Sequence, residues 1–240
     1  MKSFDEMWEE LSPYLTCDVG LDEGYSDGKY TKSFAKYCKH IEGIDISEDF
    51  YNQAVVNLSG YDNVNLRIMD ATKTDYPDKH FGVVLNTSFH EFDLSGKEKF
   101  SMDLELKTRI LKEAMRLSDT LVFAEIAPEN VSGELYQVFN PVEDHSFRTA
   151  VSNLLIDKVL RDNGYKRIIE DYAVDEIKYN SRQEFLDDMI VWWEEVKVPK
   201  DEEEKKEMQE KIAEILEKQN MLTDLTFHDI FRYTVYVKEN

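Results

Sequence analysis

The residues best equipped for chemistry in this 240-residue chain fall into a few short stretches. Gly20, Gly24 and Gly28 punctuate one of them. Glycine lets a backbone turn tightly and approach a ligand without a Cβ in the way. A helix starting behind such a loop offers free N–H groups that suit a carboxylate or phosphate. Asp45 follows the run Ile41-Glu42-Gly43-Ile44, with Ile46 next. Asp70 follows Asn65 to Met69, with Ala71 next. A carboxylate at the end of a strand can accept hydrogen bonds from a pair of ribose hydroxyls, and one on the neighbouring strand from an adenine amino group. His90, in Asn86-Thr87-Ser88-Phe89-His90-Glu91, can serve as a base, orient a substrate, or pack and cap the next element. His145, in Asn140-Pro141-Val142-Glu143-Asp144-His145, has the same options, with solvated loop histidine the stronger of them. Cys17 and Cys38 match neither a disulfide framework nor a ligand cluster, so packing thiols and no metal are expected.

Alternating elements would have to position these groups. Phe4 to Leu11 reads as an amphipathic helix, broken by Pro13. Strands are predicted at Tyr14–Val19, Ile41–Ile46, Asn65–Met69, Phe81–Asn86, Thr120–Ala127 and Tyr165–Ala173. Helices are predicted between them, at Tyr30–Tyr37, after Ser47, at Leu104–Leu117 and at Phe147–Asn163. Ile230–Lys238 closes the chain as a strand. Strands alternating with helices imply a mostly parallel sheet covered on both faces, and ligands in such sheets sit at the carboxyl ends of the strands. Before the last strand, Ser181-Arg182-Gln183-Glu184 opens one helix and Asp201–Gln219 forms another. Residues 1–12 therefore read as an N-terminal helix and 175–228 as a helical insertion within one domain spanning 1–240. Phe185, Met189, Trp192 and Trp193 of that insertion would either line an apolar pocket as a lid or pack on the domain or on a second copy.

Composition narrows the partners. A net charge of −21 opposes a nucleic-acid backbone or an acidic membrane, and neither is expected to bind. No apolar run approaches the ~20 residues that span a bilayer, and the first residues lack the core of a signal peptide. A cytoplasmic protein acting on a small molecule, possible as a homodimer, is the expectation.

Taken together these stretches resemble the class I S-adenosylmethionine (SAM)-dependent methyltransferases, in particular those that modify small molecules. Asp18-Val19-Gly20 resembles the start of that family's glycine motif, and Gly28-Lys29-Tyr30-Thr31 its end. Gly43-Ile44-Asp45-Ile46-Ser47 resembles the ribose-binding strand end, Asp70-Ala71 the adenine site, and Phe81-Gly82-Val83-Val84-Leu85 the fourth strand. On this alignment Gly20 and Gly28 are separated by an insertion that brings Asp22, Glu23 and Asp27 into the loop. The resemblance implies an α/β Rossmann-like, seven-stranded, mostly parallel sheet with an antiparallel last strand beside the fifth. It also implies SAM as cofactor, held by Asp18, Gly20, Gly24, Gly28, Asp45, Ile46, Asp70, Ala71 and Asn86, with His90 and His145 as candidate catalytic residues. In the rival reading as a short-chain dehydrogenase, Tyr25-x-x-x-Lys29 falls inside the glycine loop, where it is useless for that chemistry. An amino-methyltransferase of nucleic acids would carry prolines after Asn86, and none is present there. A scaffold that keeps the fold without turnover is the third alternative.

Overall fold

Ser3 starts the first helix with a reciprocal cap. Its hydroxyl accepts from the Glu6 amide while the Glu6 carboxylate accepts from the Ser3 amide at 2.7 Å. The helix, α1 (Phe4–Leu15), does not stop at Pro13 as the sequence suggests. A proline inside a helix orphans the carbonyl four residues earlier. Here the Ser12 hydroxyl donates to that carbonyl, Glu9 O, at 2.7 Å, and the helix continues to its end at Thr16. One face of α1, with Met7, Trp8, Leu11 and Leu15, is buried.

The computed structural model describes residues 1–92, 102–194 and 196–239. Its sheet has eight strands: β1 (Lys2–Ser3), β2 (Cys17–Glu23), β3 (Cys38–Asp45), β4 (Val64–Ile68), β5 (Val83–Asn86), β6 (Thr120–Ile126), β7 (Tyr165–Lys178) and β8 (Thr226–Lys238). Their order is β1-β7-β8-β6-β5-β2-β3-β4. Apart from β1, a two-residue edge strand that no hydrophobic pattern announces, these are the seven strands expected. β8 pairs antiparallel with both β6 and β7, so the closing strand lies beside the fifth predicted one, as expected. The first long strand differs. Because α1 runs on to Leu15, β2 begins at Cys17 and carries four residues beyond the predicted end at Val19.

Helices α2 (Lys29–Phe34), α3 (Glu48–Asn57), α4 (Leu104–Leu117), α5 (Ser132–Phe139), α6 (His145–Asp162), α7 (Arg182–Trp192), α8 (Glu202–Lys218) and α9 (Met221–Asp224) complete the chain. On one face of the sheet, Leu21, Val84, Leu121, Phe123 and Tyr236 pack with Ile110, Leu111 and Leu117 of α4 and Ile156 and Leu160 of α6. On the other face, Val83, Leu85, Val122, Tyr233 and Val235 pack with α1 and Phe34. A separate core forms from Leu135 and Phe139 of α5, Phe185 and Met189 of α7, Met208, Ile212 and Leu216 of α8, and Phe227 of β8. The 175–228 insertion is thus built around its own apolar centre, onto which α5 docks, and most of its aromatic stripe is core. The sequence did not reveal α5, whose first turn lacks a capping side chain. No helix among the described residues is long and apolar enough to cross a membrane.

Candidate functional site

The C-terminal ends of β2, β3 and β5 meet at the point where strand order reverses, with β2 flanked by β3 and β5. β2 ends on Asp22 and Glu23, and a turn over 24–28 leads into α2. Three alternate residues of that turn take positive φ: Gly24 (81°), Ser26 (51°) and Gly28 (85°). A Cβ on Gly24 would lie 2.5 Å from the Phe92 ring and 2.6 Å from Ser88 Oγ. Gly24 therefore satisfies both a conformational and a steric demand. The loop has the alternate-glycine spacing after all, with serine in its middle place, and there is no insertion.

That register relocates two of the sequence-predicted residues. Asp18 stands exposed near the start of β2, paired with Lys39 at 2.7 Å, far along the strand from its carboxyl end. Gly20 lies within β2, where a Cβ would strike the side chains of Phe34 and Cys38. Its role is close packing of α2 against the strand. Asp22 and Glu23, which sequence reasoning placed in the loop, are instead the buried strand end. The signal was present in Gly24-Tyr25-Ser26-Asp27-Gly28, once serine is allowed to stand for the middle glycine.

Both buried carboxylates are half satisfied. Thr31 Oγ1 donates to Asp22 Oδ2 at 2.6 Å, and Asn86 Nδ2 donates to Glu23 Oε2 at 3.0 Å. Among the described residues, Asp22 Oδ1 and Glu23 Oε1 have no hydrogen-bond partner. Burial raises the Asp22 carboxyl to about 7 and the Glu23 carboxyl to about 8, only partly offset by those hydrogen bonds. Asn86 also caps the next turn through Ser88 N, and Ser88 Oγ donates to Gly24 O. Asn86, Gly24 and Gly28 are therefore brought together as expected. Asp45 sits at the end of β3 and takes the amides of Ser26 (3.0 Å) and Ser47 (2.9 Å) on its two oxygens. The next side chain, Ile46, is 75% exposed, a large apolar surface beside the loop. Asp70, exposed after β4, accepts from Thr72 N, and Ala71 is partly buried against the core.

The second cluster lies in the 3-10 turn Phe89–Glu91 that follows β5, and at the start of α6. Glu125, near the end of β6, is buried and accepts three hydrogen bonds from that turn. They come from Phe89 N (2.8 Å), His90 N (3.0 Å) and His90 Nδ1 (2.6 Å). His90 Nε2 lies 3.3 Å from Glu91 Oε1, and His145 Nε2 reaches the same oxygen at 2.7 Å. Burial alone would pull His90 down, but the charge and hydrogen bond of Glu125, helped by Glu91, raise it to about 9. Glu91 resists burial in the same way: its hydrogen bonds to His145 and His90 hold it well below the usual carboxylate range. His145 is 1% exposed, so it is no solvated loop residue. Tyr136 of α5 stacks on its ring with centroids 4.9 Å apart, and Trp193 meets it edge-on at 6.2 Å. Of the insertion's aromatics, Trp193 is the one that reaches this cluster. Only folding could reveal that His90 and His145 are neighbours.

The fold and the loop geometry can now be set beside known proteins. Residues 21–113 match the family model described as a methyltransferase domain, a match that opens at Leu21, one residue before Asp22. Residues 21–113 are thus similar to a methyltransferase domain. Solved structures agree on the fold. A provisionally assigned methyltransferase from Bacillus halodurans C-125 superposes with a TM-score of 0.63 at 18% identity, covering 98% of each chain. The YcgJ protein from Bacillus subtilis gives 0.59 at 15% identity, covering 98% of this chain and 99% of that one. The N-methyltransferase NodS from Bradyrhizobium japonicum WM9, in complex with S-adenosyl-L-homocysteine, gives 0.54 at 9% identity, covering 100% and 89%. No curated protein matches by sequence.

Proposed function

We propose that this protein is a SAM-dependent methyltransferase that transfers the methyl group of SAM to a small-molecule acceptor bound between the Phe89–Glu91 turn and the start of α6. The observation that carries the cofactor placement is the pair of buried carboxylates with unpartnered oxygens beside a positive-φ loop. A buried, half-satisfied carboxylate calls for a cation, and the methionine end of SAM presents an ammonium and a sulfonium. SAM, when bound, supplies an activated methyl group on a positively charged sulfur. The chain's own residues do the rest. Asp22 and Glu23 face the cationic end, and Gly24 admits it closely. Asp45 is placed for the ribose hydroxyls, Ile46 and Ala71 for the faces of the adenine, and Asp70 for its amino group. Asn86 holds Glu23 in place.

The acceptor's position follows from connectivity. Asn86 and Ser88 are tied to Glu23 and Gly24, and His90 and Glu91 follow directly. The reacting side of the cofactor therefore opens toward His90, Glu91 and His145. A net charge of −21 and the absence of prolines after Asn86 support a small acceptor over a nucleic acid. Alignment of the nucleophile and exclusion of water account for most of what such a site must do.

Isothermal titration with SAM, followed by labelled-methyl transfer into a metabolite extract, tests the reading. Label confined to RNA or protein would refute the small acceptor, and SAM binding without product from any extract would favour a scaffold. The cofactor assignment has a sharper test in Asp45→Ala. Losing charge-assisted hydrogen bonds in a partly buried site costs about 1–3 kcal/mol, so SAM affinity should fall roughly 5- to 150-fold. The loop should loosen as well, because Ser26 N loses its acceptor. An unchanged dissociation constant in a folded variant would remove Asp45 from the site.

A further inference from the structure

We propose that His90, Glu91 and His145 form a binding site for one divalent transition-metal ion, with a coordination position left open for an oxygen or sulfur atom of the acceptor. The site itself stands on geometry alone; its role in activating an acceptor rests on the methyl-transfer reading above.

Hydrogen-bond logic fixes the donor set. Glu125 is an acceptor and already takes two backbone amides, so His90 Nδ1 must be the N–H donor in their 2.6 Å contact. In the neutral ring Nε2 then carries a lone pair, and that lone pair faces Glu91 Oε1 at 3.3 Å. In the metal-free protein a proton on Nε2 makes this contact a hydrogen bond, and a divalent ion would take that proton's place between the two atoms. His145 Nε2 converges on the same oxygen at 2.7 Å, and all three ligand atoms lie within 4.8 Å of one another. Two imidazole nitrogens and one carboxylate oxygen are the donors that first-row divalent ions such as Zn²⁺, Fe²⁺ and Co²⁺ accept, typically with open positions for water or substrate. Tetrahedral bonds of ~2.0–2.1 Å put neighbouring ligand atoms roughly 3.3 Å apart. The 2.7 Å pair would have to open by roughly 0.6 Å, and the widest pair, within 4.8 Å, to close by up to roughly 1.5 Å.

The surroundings fit. A ligating histidine usually donates its other N–H to a carboxylate, which fixes tautomer and ring orientation. Glu125 does this for His90, and Tyr136 and Trp193 hold the His145 ring from two sides. The nearby cations Lys107 and Arg148 are turned onto main-chain carbonyls, both reaching His90 O at 3.1 Å, and Arg148 also pairs with Glu143. The Glu91 side chain is 35% exposed, so the carboxylate of the cluster is less buried than the two histidines. An acceptor hydroxyl or thiol bound there would lose its proton to water at neutral pH, because a divalent ion lowers the pKa of a bound donor by several units. The resulting anion takes the methyl carbon as the sulfonium keeps the bonding pair and becomes a thioether. The metal changes no oxidation state.

The experiment uses full-length protein freed of metal by chelator and dialysis, titrated with Co²⁺ and then with Zn²⁺. One equivalent of Co²⁺ should bind with visible d–d absorption and be displaced by Zn²⁺. His145→Ala and Glu91→Gln should each weaken binding at least tenfold, and Glu125→Gln roughly 10- to 100-fold, the range for partners that orient a ligand. Circular dichroism and SAM titration report whether each variant is folded. The proposal is overturned if the wild-type protein takes up less than one equivalent, or if His145→Ala and Glu91→Gln bind as tightly as the wild type. Cobalt binding without SAM binding would defeat the methyl-transfer reading and leave the metal site standing. SAM binding without cobalt binding would do the reverse.

Discussion

SAM should bind this protein at least tenfold more weakly near pH 6 than near pH 7.5, and Asp22→Asn should remove Asp22's share of that difference while Glu23's share remains. The cause is the burial that raises Asp22 to about 7 and Glu23 to about 8. A cationic ligand needs them as carboxylates. Below those values binding must first expel a proton, so affinity falls by up to tenfold per pH unit for each group. The α-amino group of the ligand itself loses its proton at roughly 7.7–8.0, so affinity should peak between the two limits and decline again in more alkaline solution. The free protein should respond in the opposite sense. Both carboxyls sit above their unfolded values of roughly 3.9 and 4.3. Their protonated forms favour the fold, so that contribution is complete in acid and disappears as pH rises through about 8. Melting temperature without SAM should therefore fall from about pH 6 to about pH 8.5, and the stabilisation by added SAM should grow over the same window. His90, raised to about 9, adds a parallel fall at the alkaline end. The informative quantity is therefore the difference between wild type and Asp22→Asn. Calorimetric titration across pH measures the first effect and thermal melts the second. A pH-independent affinity in the wild type would show that these carboxylates do not face the cationic end of SAM.

Why the sequence places Asp22 and Glu23 in the loop rather than at the buried strand end has a physical explanation. Charged residues after a strand are normally solvated loop residues, and Cys17-Asp18-Val19-Gly20 already looks like a strand ending in glycine. What decides the register is Ser12, whose side-chain hydrogen bond lets α1 pass Pro13 and delays β2. A local propensity rule cannot anticipate a side chain that rescues the orphaned carbonyl. The longer strands and helices were legible because their apolar runs and periods are strong, and the antiparallel β8 fell beside β6 as the fold class demands. The positions of Asp45, Asp70 and Asn86 at or just after strand ends were legible because they follow such runs directly. His145 was not, since its burial depends on α5, and α5 is held by apolar contacts with α7 and α8 that are remote in sequence. The sequence leaves open whether the 175–228 stripe packs or lines a pocket for the same reason. Met208, Ile212 and Leu216 of α8 face a core that α5 completes. Trp193 alone carries the insertion to the second cluster.

The largest loss of turnover should come from His90→Ala, with SAM binding nearly unchanged. His90 is the one imidazole fixed from behind by a buried carboxylate, through a 2.6 Å hydrogen bond, and offered from the other nitrogen to the acceptor side. A positioned group that takes or directs a proton in the transition state is typically worth about 10²- to 10⁴-fold in rate. The same range is expected if the ring acts by holding a metal ion. Glu125→Gln separates position from mere presence. The amide would keep one acceptor oxygen but turn an N–H₂ toward donors that now have a carboxylate. One of the Phe89 N–H, His90 N–H and His90 Nδ1–H groups would lose its partner, at a cost of about 1–3 kcal/mol in stability for an unsatisfied buried donor. The ring would also be free to adopt the other tautomer. Turnover should fall although His90 is still present, while the SAM dissociation constant stays near the wild-type value because Asp22, Glu23 and Asp45 are untouched. Single-turnover methyl transfer with each variant, alongside SAM titration, measures the two quantities separately. If Glu125→Gln lost SAM binding and turnover in equal proportion, its carboxylate would be a strut of the fold. If His90→Ala turned over as fast as the wild type, the reacting group would have to be sought elsewhere on the rim.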